Sequence, residues 1–266
     1  MDGLKIGFIG AGNIASALID GIITGGVFAP EEIGIFDIDT AKTSEFAARG
    51  IACAASGAEL AAQSDIIVLA VKPQVIGAVL EEIGKVCGGK YLISVAAGIS
   101  SDYIRSFAPG AIVLRTMPNT PMLIGRGAIA IARPEDMDET TLAKLAAIFS
   151  CCGRVEIIDQ EQMNAVIAIN GSSPAFFYRF VNIMADYAKS HGIDYDTAIR
   201  LSAAAMEGAA AMVLKGEKDP AQLIRDVSSP GGTTLAALAQ MDENGLDDIF
   251  KKALEACNDR AEALSR

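Results

Sequence analysis

Three short runs in this chain combine residue types that could hold ligands. In Gly7-Phe8-Ile9-Gly10-Ala11-Gly12-Asn13-Ile14-Ala15, the residues Gly10, Gly12 and Ala15 fill a G-x-G-x-x-A pattern between an apolar run and a helical repeat. Gly10 permits a tight turn, Gly12 lets the backbone approach a pyrophosphate, and Ala15 lets a helix pack closely on a sheet. The N–H groups that open the helix, those of Asn13 and Ile14 among them, lack intrahelical partners and face an anion there. Such a pattern also occurs as a plain structural turn; the strand before it and the helix after it favour a dinucleotide. The next apolar run ends in Phe36-Asp37. An acid at that point hydrogen-bonds ribose hydroxyls and repels a 2′-phosphate, which leans toward NADH over NADPH. The nearest following cation is Lys42. The blander alternative is that Asp37 or Asp39 caps the next helix.

The other two runs lie further on. Ser228-Ser229-Pro230-Gly231-Gly232-Thr233-Thr234 precedes a helical Leu235-Ala236-Ala237-Leu238. Two glycines at a helix entrance leave backbone N–H groups free for a carboxylate or phosphate, and the flanking hydroxyls can orient the ligand. A flexible Pro-Gly connection is the competing reading. Asn170-Gly171-Ser172-Ser173-Pro174 reads as a helix start, with Ser173 as N-cap and Pro174 at the first helical position.

Composition narrows the chemistry. Across 266 residues, 22 Lys+Arg against 33 Asp+Glu give a net charge of −11, and a pI near 4.6 argues against nucleic acid. The one histidine, His191, sits before Gly192 and reads as a helix end, which leaves His-based triads, two-His metal sites and His acids without residues. The five cysteines are odd in number and form no CxxC pair. Adjacent Cys151 and Cys152 are poorly placed to chelate one metal and are expected to be buried, inert thiols. No metal is expected. A basic leader is missing at the start and no run of eighteen purely apolar residues occurs, so the expectation is a cytoplasmic protein without a membrane span.

The elements that must position these residues follow from periodicity. Seven apolar runs read as strands: Leu4–Ile9, Ile33–Asp37, Ile66–Val71, Tyr91–Val95, Ala111–Met117, Gly127–Ile131 and Arg154–Ile158. Continuous rather than alternating apolar runs suit parallel strands covered on both faces. Between the early ones lie helical patterns, the first being Ile14, Leu18 and Ile22 with a Gly25-Gly26 stop. The expected fold class is α/β, a Rossmann-like doubly wound sheet over residues 1–159, followed by an all-helical domain over 160–266. The small residues between Ala203 and Ala211 suit an ordinary buried helix or, more sharply, a subunit interface.

Taken together, Gly7–Ala15 as GFIGAGNIA, Ala70-Val71-Lys72-Pro73-Gln74, Met117-Pro118-Asn119-Thr120-Pro121 and Asp226–Leu238 as DVSSPGGTTLAAL resemble pyrroline-5-carboxylate reductase. The resemblance runs in order along nearly the whole chain, and the SSPGGTT run is its most specific part. It implies that Ala70, Val71, Lys72 and Pro73, with Met117, Pro118 and Asn119, border the nicotinamide of NADPH or NADH. It further implies that Ser229, Gly231, Gly232 and Thr234 hold a small-molecule substrate, with the Thr234 hydroxyl near the ring nitrogen as the catalytic contact. Glu217 takes the place of a substrate-site carboxylate, although it reads equally as a solvated charge. Pairing through the helical domain into a homodimer is also implied, and assembly of five dimers into a decamer. Two departures stand out: a family glycine is Ser173 here, and a family tyrosine is Phe176.

The implied reaction is hydride transfer to 1-pyrroline-5-carboxylate, giving L-proline. A protonated imine carbon is already electrophilic, so no strong general acid is required, and orientation carries most of the catalysis. That accords with a chain holding one histidine. Competing readings are a β-hydroxyacid dehydrogenase, which needs a lysine that residues 170–176 do not offer, and a non-catalytic dinucleotide binder, which gives the SPGGTT run no role.

Overall fold

The computed structural model describes residues 3–135 and 137–265. Among them are eight strands: β1 (Ile6–Ile9), β2 (Ile33–Phe36), β3 (Ala52–Cys53), β4 (Ile66–Leu69), β5 (Tyr91–Ser94), β6 (Ile112–Met117), β7 (Gly127–Ala132) and β8 (Gly153–Ile158). The helices are α1 (Asn13–Thr24), α2 (Thr40–Ala47), α3 (Gly57–Gln63), α4 (Ile76–Ile83), α5 (Ser101–Phe107), α6 (Glu139–Ser150), α7 (Met163–Val166), α8 (Ser173–Ser190), α9 (Tyr195–Lys215), α10 (Pro220–Asp226), α11 (Thr233–Glu243) and α12 (Leu246–Leu264). All seven expected strands form. The added β3 is two residues long, too short to carry a period.

The strands make one sheet in the order β3-β2-β1-β4-β5-β6-β7-β8. From β3 to β6 every pairing is parallel. The sequence expectation of parallel strands throughout fails at the end of the sheet: β7 pairs antiparallel with β6, and β8 runs parallel to β7. The physical reason is the connection over residues 118–126, which holds only a short 3₁₀ turn, Thr120–Ile124. A parallel return needs a crossover of a dozen or more residues. As the outer strand, β8 alternates between exposed and half-buried positions rather than being covered on both faces.

Alternate strand residues feed two apolar layers. Ile6, Phe8, Ile66 and Val68 pack with Leu18, Ile19 and Ile22 of α1 and Leu145, Ile148 and Phe149 of α6. Ile9, Ile67, Leu69 and Leu92 pack on the opposite face with Leu60, Leu80 and Ile104 from α3, α4 and α5. Each such fully covered side chain contributes about 1.5–3 kcal/mol over leaving it in water. The two layers fix the sheet, and the sheet fixes the strand ends.

The chain forms two compact units. The first runs from the sheet through Pro174 and takes in the residues from Cys257 onward; the second is Ala175–Ala256. The sheet ends at Ile158, and beyond it the described residues are helical. Residues 160–174, assigned from sequence to the helical part, therefore pack with the first unit.

The second unit is built from helices that leave much apolar surface open. Tyr187 is 66% and Leu201 63% exposed, and Met212 and Leu214 are exposed beside them. Only Ala198 is buried along α9. By length and composition α9 is apolar enough to cross a membrane, although it is not a purely apolar run. It also carries Asp196, Arg200, Glu207 and Lys215.

Candidate active site

The strand order reverses between β1 and β4, and in open α/β sheets ligands bind outside the strand ends at that switch point. Gly10 follows β1 with φ +103°, and a Cβ there would stand 2.5 Å from the carbonyl oxygen of Ala70 at the end of β4. Only glycine fits both constraints. The Gly10 N–H donates to the Phe36 carbonyl at 2.7 Å, so the loop is tied to β2 as well. Gly12 is the N-cap of α1, and no side chain among the described residues caps it. Nothing lies within 4 Å of where a Gly12 Cβ would stand. The residues thus fit a phosphate-bearing dinucleotide: bare N–H groups of the first turn, a helix dipole behind them, and room for close approach.

Asp37 carries two loads. Its Oδ2 accepts the Ala11 N–H at 2.7 Å, and its Oδ1 accepts the Asp39 N–H at 2.9 Å. Capping of α2 falls to Asp39, whose side chain accepts from Ala41. A cavity of about 350 Å³ opens beside them, lined by Ala11, Gly12, Asn13, Ser16, Lys42 and Glu45 among others. Lys42 is drawn toward Asp39, 3.7 Å away. Ile38, between the two acids, is 93% exposed.

Beyond the switch point, Ala70 and Val71 lie half-buried after β4, and Val71 touches the position a Gly10 Cβ would take. Lys72 is exposed and forms the N-cap of a short turn opened by Pro73. At the end of β6, Met117, Pro118 and Asn119 are buried. The Asn119 side chain is spent on backbone: Nδ2 donates to the Asn170 carbonyl at 3.3 Å, and Oδ1 accepts the Ala128 N–H at 2.9 Å. Any contact it makes with a ligand therefore comes from its backbone or from an exchange of these bonds.

The sequence reading of Ser173 as an N-cap is corrected here. A helix already runs from Met163 and continues through a π-helical stretch, Ile167–Gly171, into α8. Pro174 has no N–H to give the carbonyl four residues back, that of Asn170. The Asn170 oxygen instead accepts from Asn119 Nδ2 and from Ser173 Oγ, each at 3.3 Å. Ser173 Oγ also approaches the Ile169 oxygen at 2.9 Å, so its hydroxyl serves the preceding turn. The Asn170 side chain donates to the Met117 carbonyl at 2.7 Å, while its Oδ1 is buried and has no donor among the described residues. Sequence reasoning missed Asn170, although it stood in a run already singled out, because nothing in its spacing says where its side chain goes.

In the second unit, α11 begins after Gly231, at φ +69° with open space around it, and Gly232 as N-cap. The Gly232 N–H donates to the Ser229 carbonyl at 2.9 Å, and a side chain at Gly232 would collide with the Ser229 hydroxyl. No side chain among the described residues caps α11. Thr234, half-buried, sits in its first turn, and Ser229 is exposed at the loop. Glu217 is exposed and pairs with Lys215 at 2.9 Å. His191 directly follows α8, with Nδ1 2.9 Å from the Tyr187 oxygen, at the helix end its sequence context suggested. Arg115 is half-buried, and loss of hydration holds its pKa below the usual value; its Nη1 lies 3.4 Å from Gln160 Oε1.

A doubly wound sheet with a glycine turn at its switch point and an acid closing β2 defines a Rossmann-type, nicotinamide dinucleotide-dependent oxidoreductase. The comparisons agree. Residues 5–98 match the family described as NADP oxidoreductase coenzyme F420-dependent, and residues 160–264 match pyrroline-5-carboxylate reductase dimerisation. Pyrroline-5-carboxylate reductase of Methanosarcina acetivorans is 35% identical, with all of both chains covered. That of Escherichia coli is 34% identical over 98% of each. Among solved structures, Plasmodium falciparum pyrroline carboxylate reductase with NADP bound superposes with a TM-score of 0.89 at 28% identity, covering 100% of both chains. The enzyme from Coxiella burnetii gives 0.92 at 30% over 99% of each. The chain belongs to the pyrroline-5-carboxylate reductase family.

Proposed function

We propose that this chain reduces 1-pyrroline-5-carboxylate to L-proline, the last step of proline biosynthesis, with NAD(P)H as hydride donor. The observation that supports it most is the full-length similarity to reductases of that name, covering the glycine turn and the SSPGGTT run alike. Bound at the switch point, the reduced nicotinamide supplies the hydride. The N–H groups of Gly12, Asn13 and Ile14 would receive its pyrophosphate, with Gly10, whose own N–H is held by the Phe36 carbonyl, making the tight turn before them; Asp37 would face its ribose, and Ala70, Val71, Lys72, Pro73, Met117, Pro118 and Asn119 would border its ring. The N–H groups of Gly231 and of the first turn of α11, with Ser229, neutralise the substrate carboxylate, while the Gly232 N–H is held by the Ser229 carbonyl and shapes the turn. Thr234 Oγ holds the ring nitrogen, and Glu217 exchanges Lys215 for the substrate. With the imine bound protonated, hydride addition at C5 leaves a neutral amine, and no residue has to donate a proton in that step.

Two finer points belong to the same reading. The acids Asp37, Asp39 and Glu45 around the cavity, and a lysine already drawn to Asp39, favour NADH over NADPH, whose 2′-phosphate would meet negative charge. The exposed apolar faces of the helical unit pair in a homodimer, and five dimers make a decamer. The protein works in the cytoplasm.

Following NADH and NADPH absorbance with pyrroline-5-carboxylate, with 3-hydroxy acids and oxidised cofactor, and with neither separates this reading from its rivals. Imine-dependent oxidation of the reduced cofactor is expected. Oxidation of a 3-hydroxy acid without it would overturn the assignment.

A further inference from the structure

The end of α6 carries two adjacent cysteines that the reaction does not use. Cys152 is 1% exposed, Cys151 is half-buried, and their sulfurs lie 3.7 Å apart. Both face α1. Cys152 Sγ is 3.4 Å from the Ala17 carbonyl. A Cβ at Gly21 would overlap Cys152 Sγ and stand 3.1 Å from Cys151 Sγ, so a glycine at that point of α1 is what admits the pair. Ala17 is one helical turn from Asn13, where the dinucleotide loop enters the helix. The thiol pair is thus seated on the back of the helix that presents the first cradle.

The two thiols are unlike. The Cys152 S–H hydrogen bond holds Cys151 below the ordinary thiol range, while that same bond and burial push Cys152 up. A half-buried thiol of lowered pKa beside a fully covered partner is the arrangement of an attacking and a resolving cysteine.

We propose that Cys151 and Cys152 form an oxidation-sensitive vicinal dithiol that a peroxide closes to a disulfide, weakening the dinucleotide cradle through α1. The Cys151 thiolate attacks one oxygen of hydrogen peroxide, the O–O bond breaks, and the departing hydroxide takes a proton to leave as water. Cys152 sulfur then attacks the Cys151 sulfenic sulfur, the S–O bond breaks, and the Cys152 proton leaves with that hydroxide as a second water. Two electrons pass from the thiols to the peroxide. Neighbouring Cα atoms across a trans peptide are about 3.8 Å apart, below the separation of roughly 4.4–6.8 Å usual for disulfides. The closed ring is therefore strained and easily reduced, which makes the modification reversible. Closing it draws the sulfurs to about 2 Å, pulls Cys152 Sγ from the Ala17 carbonyl and disturbs the packing at Gly21.

The test treats the full-length protein with a small molar excess of hydrogen peroxide, quenches with an alkylating reagent and measures the tryptic peptide 145–154. A loss of about 2 Da from the dithiol peptide, reversed by a thiol reductant and abolished in Cys151→Ser, is expected. Phenylarsine oxide, which bridges two neighbouring thiols, should bind wild type one to one and bind Cys151→Ser far more weakly. Peroxide should raise the dinucleotide Kd by about threefold or more in wild type and leave Cys151→Ser unchanged. A peptide that stays dithiol, or one that gains oxygen in place of losing hydrogen, overturns the proposal. An unchanged Kd with the disulfide formed overturns the coupling. The affinity readout rests on the dinucleotide reading of the first cradle, whereas the mass readout does not, so the two fail separately.

Discussion

The Asp37 carboxylate accepts the Ala11 N–H at 2.7 Å, tying the end of β2 to the turn that follows β1. That bond consumes one amide of the glycine loop and holds the loop in the shape that leaves the following N–H groups bare. The carboxylate is thus an anchor of the loop, apart from the ribose contact proposed for it. Replacing it with alanine removes a charge-assisted hydrogen bond worth about 1.5–3 kcal/mol. Asp37→Ala should raise the Kd of both NADH and NADPH about tenfold or more, measured by fluorescence of the reduced nicotinamide. Asp37→Ser, which keeps a small acceptor and removes the charge, should move the preference toward NADPH. Unaltered affinity for both dinucleotides in Asp37→Ala would show that the loop holds itself.

Thr234 offers the sharpest separation between the two cradles. In the proposed mechanism its hydroxyl touches only the imine, in a unit that contains none of the dinucleotide loop. Thr234→Ala should lower kcat/KM for the imine by about ten- to a hundredfold, with the dinucleotide Kd unchanged. Thr234→Ser should recover most of the loss. Equal kcat/KM in wild type and Thr234→Ala would remove the hydroxyl from the reaction.

Much of this arrangement is legible in the sequence because it depends on patterns that sheets and turns impose. Gly10, Gly12 and Ala15 are readable since each is dictated by a clash or an approach, and the overlap of a Gly10 Cβ with Ala70 is such a case. The antiparallel β7 was not readable from its apolar content, which is the same in either direction; the short link over residues 118–126 decided it. Pro174 misled for a related reason. Proline marks a helix start only when the chain before it is not already helical, and here long-range donors, Asn119 Nδ2 foremost, satisfy the carbonyl that proline leaves unpaired. No local pattern announces a partner fifty-one residues away. The double use of Asp37 was half legible: its place at the strand end pointed to a ligand, but its bond to Ala11 is a tertiary fact.

Lys90 tests how firmly the sheet's second layer is held. Its Nζ donates to the carbonyls of Ala61, Ala62 and Ser64 at 2.6, 3.0 and 2.7 Å, all at the C-terminal end of α3. A cation there satisfies carbonyls that the helix cannot and complements its dipole. Lys90→Met keeps much of the stem and removes all three donors. A loss of about 2–3 kcal/mol and a fall of roughly 5–10 °C in Tm are expected in thermal unfolding followed by circular dichroism. A change within about 1 °C would mean that water replaces the ammonium without cost.

Acid should loosen the long apolar helix of the second unit through its cap. Asp194 precedes α9 and accepts the Thr197 N–H and hydroxyl, each at 2.9 Å; the backbone bond first and the hydroxyl second hold its pKa below the usual carboxylate value. A carboxyl group whose folded pKa is depressed adds stability that is fully present above its unfolded value, about 3.9. That stability drains away as pH falls through the folded value. Asp194→Asn keeps an acceptor and loses the charge, so it separates the electrostatic part from the cap itself. Wild type should melt above Asp194→Asn at pH 7, and the gap should stay level down to about pH 5 and then close toward pH 3. Asp194→Ala, lacking any acceptor, should stay below both across the range. A gap between wild type and Asp194→Asn that is the same at pH 7 and pH 3 would assign the cap's contribution to geometry alone. The charge would then do nothing for a helix along which only Ala198 is buried.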